Sequence, residues 1–131
     1  MLVFLVRHAH AVAGDPDELR ELSKRGRHEA QAVAERLAAH ATPPALVVTS
    51  QLVRARQTAE LIASTVGVDL REDERLAPGA TADDLLAAVA GETGPVATVG
   101  HQPDCSEIAR ELTGNDPGFP TGAAFELRLD D

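Results

Sequence analysis

The chain has 131 residues, 44% hydrophobic and 25% charged, a length that predicts a single domain over residues 1–131 with one buried core. With no Trp or Tyr and only Phe4, Phe119 and Phe125 as aromatics, that core has to be aliphatic, and a platform for stacking bases is missing. A formal charge of −9, from 21 acidic and 12 basic side chains, repels a nucleic-acid backbone, so no nucleic-acid partner is expected and any anion site has to be a local basic pocket.

Residues 2–6 form a nearly continuous apolar run, the pattern of a strand buried on both faces, and the run ends at Arg7-His8. It lacks a basic preceding region and is too short for a signal peptide or a membrane span, so no membrane association is expected. Residues 11–21 carry Gly14, Pro16 and several acids and read as a solvent loop. Ser23 then caps a helix in which Ala30, Val33, Ala34, Leu37 and Ala38 recur at helical spacing, and Thr42-Pro43-Pro44 stops it.

Residues 45–49 repeat the buried-strand pattern. Ser50 is expected to cap the next helix, whose stripe is Leu52, Ala55, Ala59, Ile62, Ala63 and Val66 and which Gly67 closes. Residues 68–70 suggest a short strand and Pro78-Gly79 a turn. Thr81 caps a helix to about Ala90, with Asp83 and Asp84 near its positive end. A strand over residues 96–99, a helix over 104–112 and a final strand over 123–129, with Phe125, Leu127 and Leu129 on one face, complete the pattern. Cys105 is the lone cysteine, so no disulfide or thiolate cage forms within the chain. A reducing cytoplasm is expected, with slight activation of that thiol at its helix N-terminus.

Strand alternates with helix nearly throughout, which predicts an α/β three-layer sandwich: a mostly parallel central sheet with helices on both faces. The same alternation suits a monomer. Ligands in such sheets bind beyond the carboxyl ends of the strands. Three of those ends carry chemistry: Arg7-His8 after the first strand, Ser50 and then Arg54 after the second, and Gly100-His101 after the fourth. Two guanidiniums are forked, permanent donors for phosphoryl oxygens, and two imidazoles offer a nucleophile and a further donor.

These residues also carry a resemblance. Leu5-Val6-Arg7-His8-Ala9-His10-Ala11 resembles the signature strand and loop of the histidine phosphatase superfamily. Leu22-Ser23-Lys24-Arg25-Gly26-Arg27-His28-Glu29-Ala30 is similar to its Leu-Thr-x-x-Gly-x-x-Glu-Ala helix start. Ser50-Gln51-Leu52-Val53-Arg54-Ala55-Arg56-Gln57-Thr58 resembles its Ser-x-x-x-Arg-Ala-x-Gln-Thr segment, and Val99-Gly100-His101-Gln102-Pro103 the site of its second histidine. Short length, near absence of inserts and Leu76-Ala77-Pro78-Gly79 look most like the small phosphohistidine phosphatase branch, the SixA type, on a phosphoglycerate mutase-like fold.

The resemblance implies a metal-independent phosphatase in which His8 is phosphorylated, Arg7, Arg54 and His101 clamp the transferring group, and water then attacks the phosphohistidine. All four are therefore both catalytic and phosphate-binding candidates, and no cofactor is implied. Phosphoryl transfer needs mostly positioning and charge neutralisation, which two Arg and a His supply. The free ring nitrogen of His8 is expected to donate to a backbone carbonyl of the following loop, and the helix after Ser50 to add its N–H groups to the site.

Two positions depart from the pattern. Ala9 stands where many members have Gly, which is tolerable if its backbone angles suit an L residue. Pro78 stands where mutase-like branches place an acidic proton donor, and no acid is assigned in its stead. Its absence favours a nitrogen-bound phosphoryl group, on a phosphohistidine protein, over an alkoxide leaving group, as in a small phosphorylated metabolite.

Other classes remain. A module that binds phosphorylated partners without turnover would use the same pocket. His8-x-His10 also matches paired zinc ligands of metallohydrolases, but Arg7 and Arg54 beside a divalent cation are electrostatically unfavourable, so no metal is expected and His10 reads as a rim residue.

Overall fold

A computed structural model describes residues 1–130. Among them, β1 (Leu2–Arg7), β2 (Leu46–Thr49), β3 (Asp69–Glu72), β4 (Val96–Gly100) and β5 (Ala124–Arg128) form one sheet in the order β3-β2-β4-β1-β5. The pairings β1 with β4, β4 with β2 and β2 with β3 are parallel, and β5 alone runs antiparallel, against β1. The helices are α1 (Lys24–Ala38), α2 (Val53–Val66), α3 (Ala82–Val89) and α4 (Asp104–Thr113).

Strand alternation sorts the core into two layers. Phe4 and Val6 of β1 join Val47, Ala97 and Val99 under Val33 and Leu37 of α1 and Ala59 and Ile62 of α2. Val3 and Leu5 face the other way, onto Leu85 and Val89 of α3 and Cys105 and Ile108 of α4, with Leu127 of β5. The sheet is thus covered on both faces, as the near-continuous apolar strand runs predicted. No helix among the described residues is long and apolar enough to cross a membrane.

The helix ends follow their local chemistry. Ser23 accepts from the Gly26 amide and caps α1, Thr81 and Asp84 form a reciprocal capping box on α3, and Gly67 ends α2 in the left-handed conformation at φ 86°. Two local expectations need correction. The third strand lies over Asp69–Glu72 rather than residues 68–70, because it is an edge strand whose pairing with β2 is set by backbone register and not by an apolar pattern. Ser50 does not cap α2: the cap position is Leu52, without a side-chain bond, and the helix begins at Val53.

Candidate active site

Register brings the strand ends together. Arg7 pairs with Gly100, the His8 amide donates to the Gly100 carbonyl at 3.0 Å, and the Ser50 amide donates to the Val99 carbonyl at 3.1 Å. The first, second and fourth strands therefore deliver Arg7-His8, Ser50 and His101 to one edge. The His8 and His101 rings lie 5.2 Å apart at 54°. Arg54 follows in the first turn of α2 and is 7% exposed, against 9% for His8 and 3% for His101. A guanidinium so far withdrawn from water, and not within the apolar core, belongs to a polar site.

Each side chain is oriented by a specific bond. Arg7 Nη1 donates to the Phe119 carbonyl at 2.9 Å. His8 Nδ1 lies 2.7 Å from the Ala9 carbonyl, which only accepts, so Nδ1 carries the proton and the neutral ring has a bare Nε2. This is the backbone bond expected from the loop. His101 Nε2 meets Ser50 Oγ at 2.8 Å, the contact that takes Ser50 away from a helix-cap role, and the same hydroxyl accepts from the Leu52 amide at 3.2 Å. That amide is thereby committed and not offered to an anion.

Burial pushes the His8 imidazole down to about 4 against the pull of the Ala9 carbonyl, with the Arg54 and Arg7 charges adding to the depression. His101 is pushed down to about 3, first by burial and then by His8 and Arg54. Both rings are neutral at pH 7. Cys105 corrects the expected activation: it is buried, and burial pushes its thiol up to about 12, so it is an inert core residue.

The loop after His8 is held by residues of the two helix motifs. The Ala9 amide donates to Thr58 Oγ1 at 3.0 Å, which itself donates to the Arg54 carbonyl at 2.8 Å. The His10 amide donates to Glu29 Oε1 at 2.9 Å, and the Leu22 amide to Gln57 Oε1 at 2.8 Å. Gly26 is where α1 meets this loop: a Cβ there would stand 1.8 Å from the His10 carbonyl oxygen. Ala9 is accommodated, since no non-glycine described residue has a positive φ. His10 Nδ1 is tied to Ser23 Oγ at 2.7 Å, and no group of three or more His, Cys, Asp or Glu among the described residues is arranged to hold a metal.

Two of the acids near Pro78, Asp73 and Asp84, are committed elsewhere. Asp73 Oδ2 takes Arg75 Nη2 at 2.7 Å, and Asp84 Oδ2 takes the Thr81 amide at 2.9 Å. Asp104 Oδ2 accepts from the Gly79 and Ala80 amides at 2.8 and 3.1 Å, which fixes the 78–80 turn beside the start of α4. A groove of about 450 Å³ lies between Gln51, Arg75 and Pro78. Sequence reasoning missed Asp17, which reaches from the 11–21 loop to bond Arg54. Its acidic, Pro-containing surroundings gave no periodic signal that could have found it.

The model of the histidine phosphatase superfamily (branch 1) matches residues 3–78, more than half of the chain. An uncharacterized protein of Picosynechococcus sp. is 32% identical over 119 residues, 83% of this chain and 72% of that protein. A protein of Agrobacterium tumefaciens provisionally named phosphohistidine phosphatase SixA superposes with a TM-score of 0.85 at 29% identity, over 98% of this chain and 91% of that one. The protein histidine phosphatase SixA complexed with tungstate superposes with a TM-score of 0.88 at 26% identity, over 99% and 89% of the two chains. A mycobacterial glucosyl-3-phosphoglycerate phosphatase shares the fold, with a TM-score of 0.75 at 22% identity over 97% and 90%. The chain belongs to the histidine phosphatase superfamily (branch 1), is similar to its SixA-type members, and is a phosphatase.

Proposed function

We propose that this phosphatase removes phosphate from phosphohistidine on proteins, through a covalent phosphohistidine on its own His8. The observation that carries the reading is the 2.7 Å bond from His8 Nδ1 to the Ala9 carbonyl, which leaves a bare Nε2 on a neutral, immobilised ring among Arg7, Arg54 and His101. The Nε2 lone pair forms a bond to phosphorus as the bond from phosphorus to the leaving nitrogen breaks. Arg7 and Arg54 hold the phosphoryl oxygens and neutralise their charge, and the neutral His101 ring adds a hydrogen bond to them. Water then attacks phosphorus, the P–Nε2 bond breaks, and inorganic phosphate leaves with His8 restored.

The choice of a nitrogen-bound phosphoryl group rests on Pro78, which stands where the mutase-like branches place a proton donor. Pro78 has no acidic group, and Asp73 and Asp84 are bonded to Arg75 and Thr81. A phosphohistidine ring protonated on its other nitrogen leaves as neutral imidazole and needs no acid, whereas an alkoxide does. The SixA-type likeness points the same way, and the lone, buried Cys105 suits a reducing cytoplasm. A second reading, a small phosphorylated metabolite, is favoured by the groove lined by Gln51, the residue after Ser50, with Glu74 and Arg75.

The test is to mix the protein with a protein carrying labelled phosphohistidine, quench, and follow label on the enzyme. Label that survives alkali and is lost in acid is expected on His8, and His8→Ala is expected to trap none and to turn over at least ~1,000-fold more slowly. Trapping or turnover by His8→Ala at the wild-type level overturns the reading.

A further inference from the structure

Residues 12–19 are exposed, yet one of them reaches the buried site. A 3₁₀ turn over Asp17–Leu19 brings Asp17 to α2, where Arg54 Nη1 donates to the Asp17 carbonyl at 2.9 Å and Nη2 to its carboxylate Oδ2 at 3.1 Å. The other carboxylate oxygen takes Arg20 Nη1 at 2.9 Å, and Arg20 Nε is anchored on the Val12 carbonyl at 2.7 Å. The base of the loop is closed by the Ala11–Leu22 bridge and a 2.9 Å bond from the Val12 amide to the Glu21 carbonyl. The Asp17 side chain is 59% exposed and that of Arg54 8%, so the pair runs from the mouth of the site to its floor.

We propose that Asp17 is a specificity-determining residue, a fixed negative charge at the mouth that admits phosphoryl groups on neutral or cationic leaving groups and discriminates against leaving groups bearing a carboxylate or a second phosphate. The inference rests on the reading of Arg7, His8, Arg54 and His101 as the phosphoryl site. The dianionic phosphoryl group meets the floor, where the guanidiniums lie. Whatever is attached to it projects toward the mouth, where Asp17 has already taken two N–H groups of Arg54 and offsets much of its charge in that direction. An additional anion there meets a like charge, a repulsion worth roughly tenfold at separations of several ångströms in a partly solvated site.

Asp17 is not a proton donor for this reaction. Its bond from Arg20, with Arg54 adding to it, holds the carboxyl below the usual carboxylate range, so it is ionised at neutral pH. A protein-borne imidazole, neutral or cationic, is the leaving group such a mouth favours. Phosphorylated sugar acids are the class it disfavours.

Phenyl phosphate and 4-carboxyphenyl phosphate, which differ by one charge on the leaving group, provide the test. Asp17→Asn keeps an oxygen for the arginines and removes the charge. It is expected to raise kcat/KM for the carboxyphenyl ester relative to the phenyl ester by roughly tenfold. Asp17→Glu is expected to keep the wild-type ratio, and added salt to weaken the wild-type discrimination. An unchanged ratio in Asp17→Asn, or an equal fall in both rates, overturns the proposal. Trapping of label on His8, done in parallel, separates the two claims. Label on another residue with a shifted ratio leaves the filter standing without the His8 intermediate, and label on His8 with an unchanged ratio does the reverse.

Discussion

Arg7, His8, Ser50 and His101 stand at the ends of three adjacent parallel strands, where backbone bonds between β1, β4 and β2 leave each side chain a single direction. Residues 12–19, by contrast, cross the mouth held at their base by one bridge and at their centre by arginine contacts. Groups that have to meet phosphorus within tenths of an ångström are placed on the sheet, and the charge that sorts substrates is placed on a loop. A substitution at the floor should therefore cost stability and rate together, whereas one at the rim should change a ratio and little else.

Two glycines, Gly26 against the His8 loop and Gly14 in the rim loop, test that contrast most severely. A Cβ on Gly26 would lie 1.8 Å from the His10 carbonyl oxygen and 2.8 Å from its carbon, both backbone atoms, so α1 or the His8 loop has to move. Gly26→Ala is expected to lose about 3 kcal/mol in urea denaturation and most of the activity. Gly14→Ala, whose nearest contact is the flexible Arg20 Cγ at 3.6 Å, should stay within ~0.5 kcal/mol of wild type. Equal effects of the two substitutions would erase the distinction between floor and rim.

Ser50→Ala sharpens it within the floor. The hydroxyl is fully buried and is the partner of His101 Nε2 at 2.8 Å, so its loss leaves a buried ring nitrogen unpaired and the ring free to turn. A fall in kcat of about 30-fold with KM nearly unchanged is expected, the cost of roughly 2 kcal/mol of misorientation. A rise in KM alone would show that Ser50 serves binding and not the orientation of His101.

The floor was the legible part of the molecule. Residues 2–6, 45–49 and 96–99 are apolar because both faces of their strands are covered, and the chemistry follows directly where each run stops. β3 was harder, since Asp69–Glu72 lies at an edge and its burial is at most partial. Ser50 was recognisable as important but not in its role: a serine before a helix has the composition of a cap, and only the approach of His101 from another strand decides which partner its hydroxyl takes. Asp17 was opaque for the same reason, because its partner Arg54 lies 37 residues away and neither residue carries a local pattern that names the other.

The smallest expected effect is an absence, and it follows from the burial that distinguishes the floor. The His8 ring has a value of about 4 in the folded protein against an ordinary 6.5, and the first cause is burial, ahead of the arginine charges. Between pH 7 and pH 5 the folded ring should hold its neutral form, so its NMR signals should barely move over that range. The unfolded chain takes up its proton near 6.5, so between about 6.5 and about 4 the unfolded state binds more protons at this residue. Stability from His8 is thus fully present above that window, declines as pH falls through it, and falls no further below it, where both states are protonated. His8→Asn should flatten this part of the pH–stability curve, whereas Asp17→Asn, a change at an exposed carboxylate, should leave it as it is. A His8 ring that titrates near 6.5 would mean that water reaches the floor as freely as the rim, and the separation of the two regions would fail at its physical cause.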